Sequence, residues 1–232
     1  MNHPHILGLT GPAGSGKDTV ADLLVAHAGF TKLAFADTLK AEVADAFAVD
    51  LEYLTRRETK EHPMSCLAMS RCLADSFVGR MMAVHSRGPV PLDLDAPHSP
   101  RQIMQWWGTD YRRAAQPEYW VNKTRNRISY LLRERLASRI VVTDCRFPDE
   151  VEMVRRSFGG QLWQIHRDGV AVAPDSHVSE TTGDEFAPDV VINNSHSVKH
   201  LQERVLEAYW ASCAGLAPGS LRVSIDQAAQ LA

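Results

Sequence analysis

The stretch HILGLTGPAGSGKDTVADLL, close to the amino terminus, constrains the fold more than any other part of the chain. Ile6 to Thr10 is a short apolar run, Gly11 to Thr19 is Gly-rich, and Thr19 to Val25 has helical character. Strand, Gly-rich turn and helix, in that order, make a phosphate-binding loop. In such a loop successive backbone N–H groups turn inward around phosphate oxygens, a geometry that side chains would obstruct. The helix amino terminus adds partial positive charge. Gly11, Ala13, Gly14, Ser15, Gly16, Lys17, Asp18 and Thr19 are therefore the candidate nucleotide-phosphate site, with Lys17 as a point charge between the β- and γ-phosphates. One position departs from the usual G-x-x-x-x-G-K-[ST] spacing. Asp18 stands where a hydroxyl normally helps to hold magnesium, and Thr19 follows one residue late.

The rest of the chain reads as alternating strands and helices. FTKLAF, Phe30 to Phe35, reads as a strand, and DTLKAEVADAF as a helix opening at the cap-like Asp37. CLAMSRCLADSFVGRMMAV reads as helical, and the proline-rich GPVPLDLDAPHSP as an exposed connection. Ser99-Pro100 caps and opens a helix through RQIMQWWGTDYRR. Trp106 and Trp107, in an apolar helix, are read as packing residues. A further helix is expected from about Pro117. Arg139 to Asp144 is a buried strand, PDEVEMVRRSF a helix, LWQIH a strand, Asp189 to Asn193 a last strand, and VKHLQERVLEAYW a last helix. The expected fold is an α/β domain with a mostly parallel sheet covered on both faces, and ligands at the carboxyl ends of its strands.

Composition narrows the function classes. A length of 232 residues suits one such domain with a subdomain, and a net charge of −3 argues against binding polymeric nucleic acid, which usually needs a basic footprint. No apolar stretch approaches the ~20 residues that span a bilayer, so no membrane partner is expected. The start MNHPH lacks a basic then apolar leader, and the expected compartment is the cytoplasm. Four cysteines with no C-x-x-C pair read as reduced thiols, so zinc at His62, Cys66, Cys72 and His85 is not expected.

Two residues after the VVTD strand invite a chemical reading. Asp144 ends an apolar strand, where a carboxylate can organise magnesium directly or through water; the alternative is a capping or salt-bridging aspartate. Arg146 can grip a phosphate and stabilise charge on a transferring group; the alternative is a surface ion pair. His166 reads as structural.

GPAGSGKDTVADLL, FADTLK, RQIMQWWGTDYRR with Tyr119-Trp120, VVTDCRFPDE, GGQLWQIHR and DSHVSE, in this order, resemble the deoxynucleoside monophosphate kinases of tailed bacteriophages and related bacterial proteins. The resemblance runs from about Leu7 to Val205 and is weakest between Asp50 and Pro100. An SGKD loop is itself a mark of that family and of animal-type phosphomevalonate kinases. The resemblance implies a nucleoside monophosphate kinase-like P-loop fold as a single domain over 1–232. It has a five-stranded parallel sheet, a mainly helical substrate-binding region at 37–138, a lid-like segment at 167–188 and a tail at 215–232. It implies Mg²⁺, ATP as phosphoryl donor, small nucleotides as partners, and a homodimer in the host cytoplasm.

The resemblance also assigns roles. Lys17, Arg146 and Arg167 are catalytic, Arg167 reaching ATP phosphates on lid closure. Asp37, Lys40, Arg101, Gln105, Asp110, Arg113, Trp120 and Arg146 form the acceptor set. Within it Lys40, Arg101 and Arg146 serve its phosphate, Gln105 a base edge and Trp120 the base pocket. Asp18, Thr19 and Asp144 serve the metal. An aspartate beside phosphates is repulsive unless a cation intervenes, so Asp18 is expected to face magnesium through water. His177, Ser179 and Glu180 belong to the lid region without an assigned chemical role. Another small-molecule P-loop kinase, for phosphomevalonate or dephospho-coenzyme A, is the nearest alternative, and GTDYRR and DSHVSE favour the nucleotide. A non-catalytic nucleotide-binding regulator is the alternative from a different class, and retention of Lys17, Asp144 and the arginines opposes it.

Overall fold

The computed structural model describes residues 5–56, 58–86, 88, 91–169 and 187–214. The lid residues 170–186, with His177, Ser179 and Glu180, and the tail 215–232 lie outside them. Two compact units divide the chain, Met1–Phe35 with Arg125–Ala232, and Ala36–Thr124. The second unit overlaps the expected substrate-binding region 37–138, and residues 125–138 are grouped with the first unit.

The first unit is built on five strands: β1 (His5–Thr10), β2 (Thr31–Leu33), β3 (Arg139–Val142), β4 (Gln161–His166) and β5 (Val190–Asn193). Their order is β2-β3-β1-β4-β5, and every adjacent pair is parallel. Side chains alternate along β1. Leu7 and Leu9 face a core with Val20 and Leu24 of α1 (Lys17–Ala28), and with Val205 and Tyr209 of the last helix, Val198–Cys213. Gly8, between them, lies under Val154 and the Cys145 thiol. A Cβ on Gly8 would stand 2.8 Å from Cys145 Sγ, so that face of β1 has room for hydrogen only. Cys145 is 1 % exposed, and burial pushes its thiol well above the ordinary range.

Several boundaries differ from expectation because distant groups claim backbone donors. The FTKLAF strand stops at Leu33, and α2 (Phe35–Phe47) opens two residues before Asp37. The Phe35 N–H donates to Asp144 Oδ1 at 2.8 Å, so an orphan donor at the helix start is satisfied by a carboxylate 109 residues away. The helix after Pro148 is α-helical only over α7 (Pro148–Glu152), then widens to π turns over Met153–Ser157.

Along the chain α2 is followed by α3 (Leu51–Thr55), α4 (Asp75–His85), α5 (Pro100–Gln105) and α6, which starts at Tyr119 and runs to Arg133. The helix expected from Cys66 begins only at Asp75, after two 3-10 turns. The Ser70 N–H goes to Leu94 O at 2.8 Å and the Leu73 N–H to Ala46 O at 2.7 Å, donors that a continuous helix would have used internally. Ser99 caps α5 as expected, its Oγ accepting the Gln102 N–H at 3.2 Å. The helix then continues as a π-helix over Trp106–Arg113. The proline-rich connection is not exposed throughout, since His98 near its end is buried.

The half-buried Glu42 ties α2 to the π-helix and α6. Its carboxylate accepts from Trp107 Nε1 at 3.0 Å, from Arg112 Nε at 2.9 Å and from the Tyr119 hydroxyl, with Lys123 Nζ at 3.6 Å. The Arg112 guanidinium also lies 4.8 Å from the Tyr111 ring centroid and 4.9 Å from that of Tyr119. Burial pushes the Glu42 carboxyl up, but the bonds from Tyr119, Trp107 and Arg112 outweigh it and hold it below its usual value. Burial and the bond to Glu42 push Tyr119 up to about 12.

Two groups make this unit acid-sensitive. Burial drives the His98 imidazole below its ordinary value, opposed by its contact with Gln102. A depressed folded pKa gives stability that is complete above the unfolded value and is lost as pH falls through the folded one. His98 therefore acts below about pH 6.5 and Glu42 below about pH 4.5. Thermal unfolding from pH 7 to 5 should show a falling midpoint that His98→Phe flattens. Glu42→Ala should cost about 2–3 kcal/mol at neutral pH, since it removes hydrogen bonds to a half-buried charge.

Candidate active site

The register of the sheet sets the site. Gly8 pairs with Val142 and Thr10 with Gln164, so the turns after β1, β3 and β4 leave the same edge. Gly11, Gly14 and Gly16 have φ of 131°, 81° and 101°, in the region that favours glycine. Two of them are also sterically required. A Cβ on Gly11 would stand 2.4 Å from the Ile165 carbonyl oxygen, and one on Gly16 2.1 Å from Asn194 Nδ2.

The loop carries the marks of an anion cradle. Ser15 is fully buried, and its Oγ has no hydrogen-bond partner among the described residues. Such a group is costly unless a ligand satisfies it. Lys17 Nζ rests on the carbonyls of Gly11 at 2.7 Å and Pro12 at 2.8 Å, so its ammonium is seated on the loop. Ala13 and Gly14 are exposed at the crest, and Thr19 is half-buried in the first turn of α1. These features fit bound phosphates.

Asp18 is held in an ion pair. Its side chain is 82 % exposed and lies 3.0 Å from Lys32 Nζ, which also meets Asp22 at 3.0 Å. Burial lowers the Lys32 pKa, but its bonds to Asp22 and Asp18 outweigh that and leave it raised. The cation beside Asp18 among the described residues is thus a lysine on β2.

Asp144 Oδ1 accepts the Phe35 N–H at 2.8 Å at the start of α2. Beyond it, the N–H groups of Arg146 and Phe147 donate to Glu150 Oε2 at 2.8 and 3.1 Å. Glu150 is 3 % exposed, so a buried carboxylate fixes the backbone that carries Arg146. Arg167 is exposed in the turn after β4, beside the His166–Asp168 pair at 3.2 Å. That turn is fastened to the end of β5, where the Asp168 N–H donates to Ser195 Oγ at 2.9 Å. Asn194 donates from Nδ2 to the Ser15 carbonyl at 2.8 Å.

The acceptor candidates lie in the second unit, apart from Arg146. Asp37 is exposed in the first turn of α2, with Lys40 half-buried after it. Arg101 pairs with Glu61, and its N–H donates to Lys60 O at 3.0 Å. Gln105 ends α5, and Asp110 and Arg113 lie on the π-helix, Asp110 receiving Arg80 Nε on its carbonyl at 3.2 Å. Trp120 is buried, and its Nε1 donates to Gly108 O at 3.1 Å. Trp107 is likewise buried, and Trp106 lies edge-on to the rings of His85 and His98.

Glu150, Asn194, Lys32 and Glu42 were absent from the sequence reading. Glu150 had a signal, since Pro148 at the helix start with Glu two residues on is a capping pattern. The others had none, because their partners lie far away in sequence or on another element.

A sheet of this order with a phosphate loop after β1 and flanking helices defines the P-loop kinase class. The family described as deoxynucleotide monophosphate kinase matches residues 75–205, more than half of the chain, and the chain belongs to it. A curated relative, "Putative deoxynucleotide monophosphate kinase" of Acanthamoeba polyphaga mimivirus, is 26 % identical over 211 residues, 87 % of this chain and 94 % of the relative. Among solved structures, a dephospho-CoA kinase from Campylobacter jejuni is similar at 12 % identity and a TM-score of 0.47, covering 90 % of this chain and 98 % of that one. A shikimate kinase from Bacteroides thetaiotaomicron is similar at 12 % identity and a TM-score of 0.36, covering 88 % and 98 %.

Replacing Glu150 by Ala strands two part-buried N–H groups and should cost about 2 kcal/mol, read as a lower thermal unfolding midpoint. Asp18→Ser should change stability by no more than about 0.5 kcal/mol, and its magnesium dependence of turnover should match the wild type.

Proposed function

We propose that this protein transfers the γ-phosphoryl group of ATP to the 5′-phosphate of a deoxynucleoside monophosphate, giving the diphosphate and ADP. The observation that carries the reading is the loop Gly11–Thr19, with the buried Ser15 hydroxyl lacking a partner among the described residues and the Lys17 ammonium already seated. The family match covers residues 75–205 and leaves this loop out, so the two supports are independent.

An acceptor phosphate oxygen attacks the γ-phosphorus while the bond to the β,γ-bridging oxygen breaks. The acceptor is already ionised, so no strong general base is required and positioning with charge neutralisation does the work. Backbone N–H groups of the loop hold the donor phosphates, and Lys17 moves from the Gly11 and Pro12 carbonyls to oxygens of the transferring group. Arg146, on the backbone set by Glu150, grips the phosphate being transferred, and Arg167 adds charge from the turn after β4. Lys40, Arg101, Gln105, Asp110 and Arg113 serve the acceptor. Thr19 and Asp144 would hold Mg²⁺, which takes most of its ligands from water and phosphate and would neutralise charge on the donor. A cytoplasmic homodimer of phage or viral type belongs to the same reading.

A coupled assay over the four common dNMPs, dephospho-coenzyme A and phosphomevalonate tests it. Turnover with at least one dNMP is expected, and turnover confined to the other acceptors overturns it. Lys17→Met and Arg146→Ala should each lower kcat by about 10²–10³-fold, with the far-UV circular dichroism unchanged.

A further inference from the structure

We infer that Asn194 is a positioning residue for the phosphate loop, one that sets which way the Ser15–Gly16 peptide faces; this rests on the proposed phosphate role of that loop. Asn194 Nδ2 donates to the Ser15 carbonyl at 2.8 Å. Cis peptide bonds are absent among the described residues, and in a planar trans peptide the C=O and the following N–H point in opposite directions. Holding the Ser15 oxygen toward Asn194 therefore turns the Gly16 N–H the other way, away from Asn194. Without that bond the peptide could rotate and present a carbonyl to an incoming phosphate, a repulsive contact.

The clamp is rigid because Asn194 is itself held. Its backbone N–H donates to His166 O at 2.7 Å, the next N–H, of Ser195, donates to Asn193 Oδ1 at 2.8 Å, and Ser195 Oγ accepts the Asp168 N–H. The backbone that carries the amide is thus fixed by the ends of β4 and β5 and not by the loop it orients. Asn194 also explains a second requirement for glycine at position 16. Its Nδ2 occupies the space in which a Gly16 Cβ would stand, at 2.1 Å, over and above the φ of 101°. The two residues form a matched pair, a missing side chain facing an amide that takes its place.

The test is calorimetric binding of inorganic tripolyphosphate and of Mg-ATP to the wild type, Asn194→Leu, Asn194→Ala, Gly16→Ala and the Gly16→Ala/Asn194→Ala double variant, with thermal unfolding of each. Leucine keeps the shape and loses the donor. Asn194→Leu should weaken both ligands about tenfold, the worth of one hydrogen bond that orients an anion-binding group. KM for ATP should rise, and KM for the acceptor should stay within twofold. Gly16→Ala should lose less binding in the Asn194→Ala background than in the wild type, because the collision is gone and only the φ strain remains. Wild-type affinity in a folded Asn194→Leu overturns the inference, as does a variant whose only change is a lower unfolding midpoint. Failure of the wild type itself to bind either polyphosphate overturns the phosphate reading of the loop, a result separable from failure of the Asn194 role.

Discussion

Five parallel strands bring all their carboxyl ends to one edge, and the candidate site of the first unit stands on that edge. The backbone there must turn sharply after β1, and it does so through three glycines in conformations other residues avoid. A loop of that kind is not self-supporting. Asn194 at the end of β5 and the close approach of the Ile165 carbonyl hold it from the neighbouring strands. Glu150 does the same service for Arg146 after β3. Each chemical side chain stands on backbone that another element fastens, as a positioned site requires.

The order of elements was legible in the sequence because strand, loop and helix announce themselves within a few residues. The five strands and the phosphate loop fall where hydrophobic runs and glycine spacing put them. What was not legible were the places where a long-range partner overrides local preference. Leu73 could have continued a helix but its N–H meets Ala46 O, and Phe35 could have ended a strand but meets Asp144. Asp18 shows the same limit in the site. Its partner Lys32 comes from β2, and no spacing rule links those two positions.

The second unit solves a different problem with a charge. Glu42 gathers an indole, a guanidinium and a phenol from two later segments, and its partners keep it ionised despite partial burial. Such a centre specifies how α2, the π-helix and α6 meet, since only one arrangement satisfies every donor. GTDYRR, read first as a family mark, contains Arg112, which fills that structural post, and Arg113 beside it, which is assigned to the acceptor.

Cys145 sits between these chemical neighbours, one residue after Asp144, with its sulfur against Gly8 and its thiol pushed far toward the protonated form. A thiolate is the reactive species toward alkylating and oxidising agents. The buried thiol is therefore shielded in the folded protein, and opening of the structure around it exposes it to such agents. The protein carries, in the centre of its nucleotide-binding unit, a chemical clock for the opening of its own sheet.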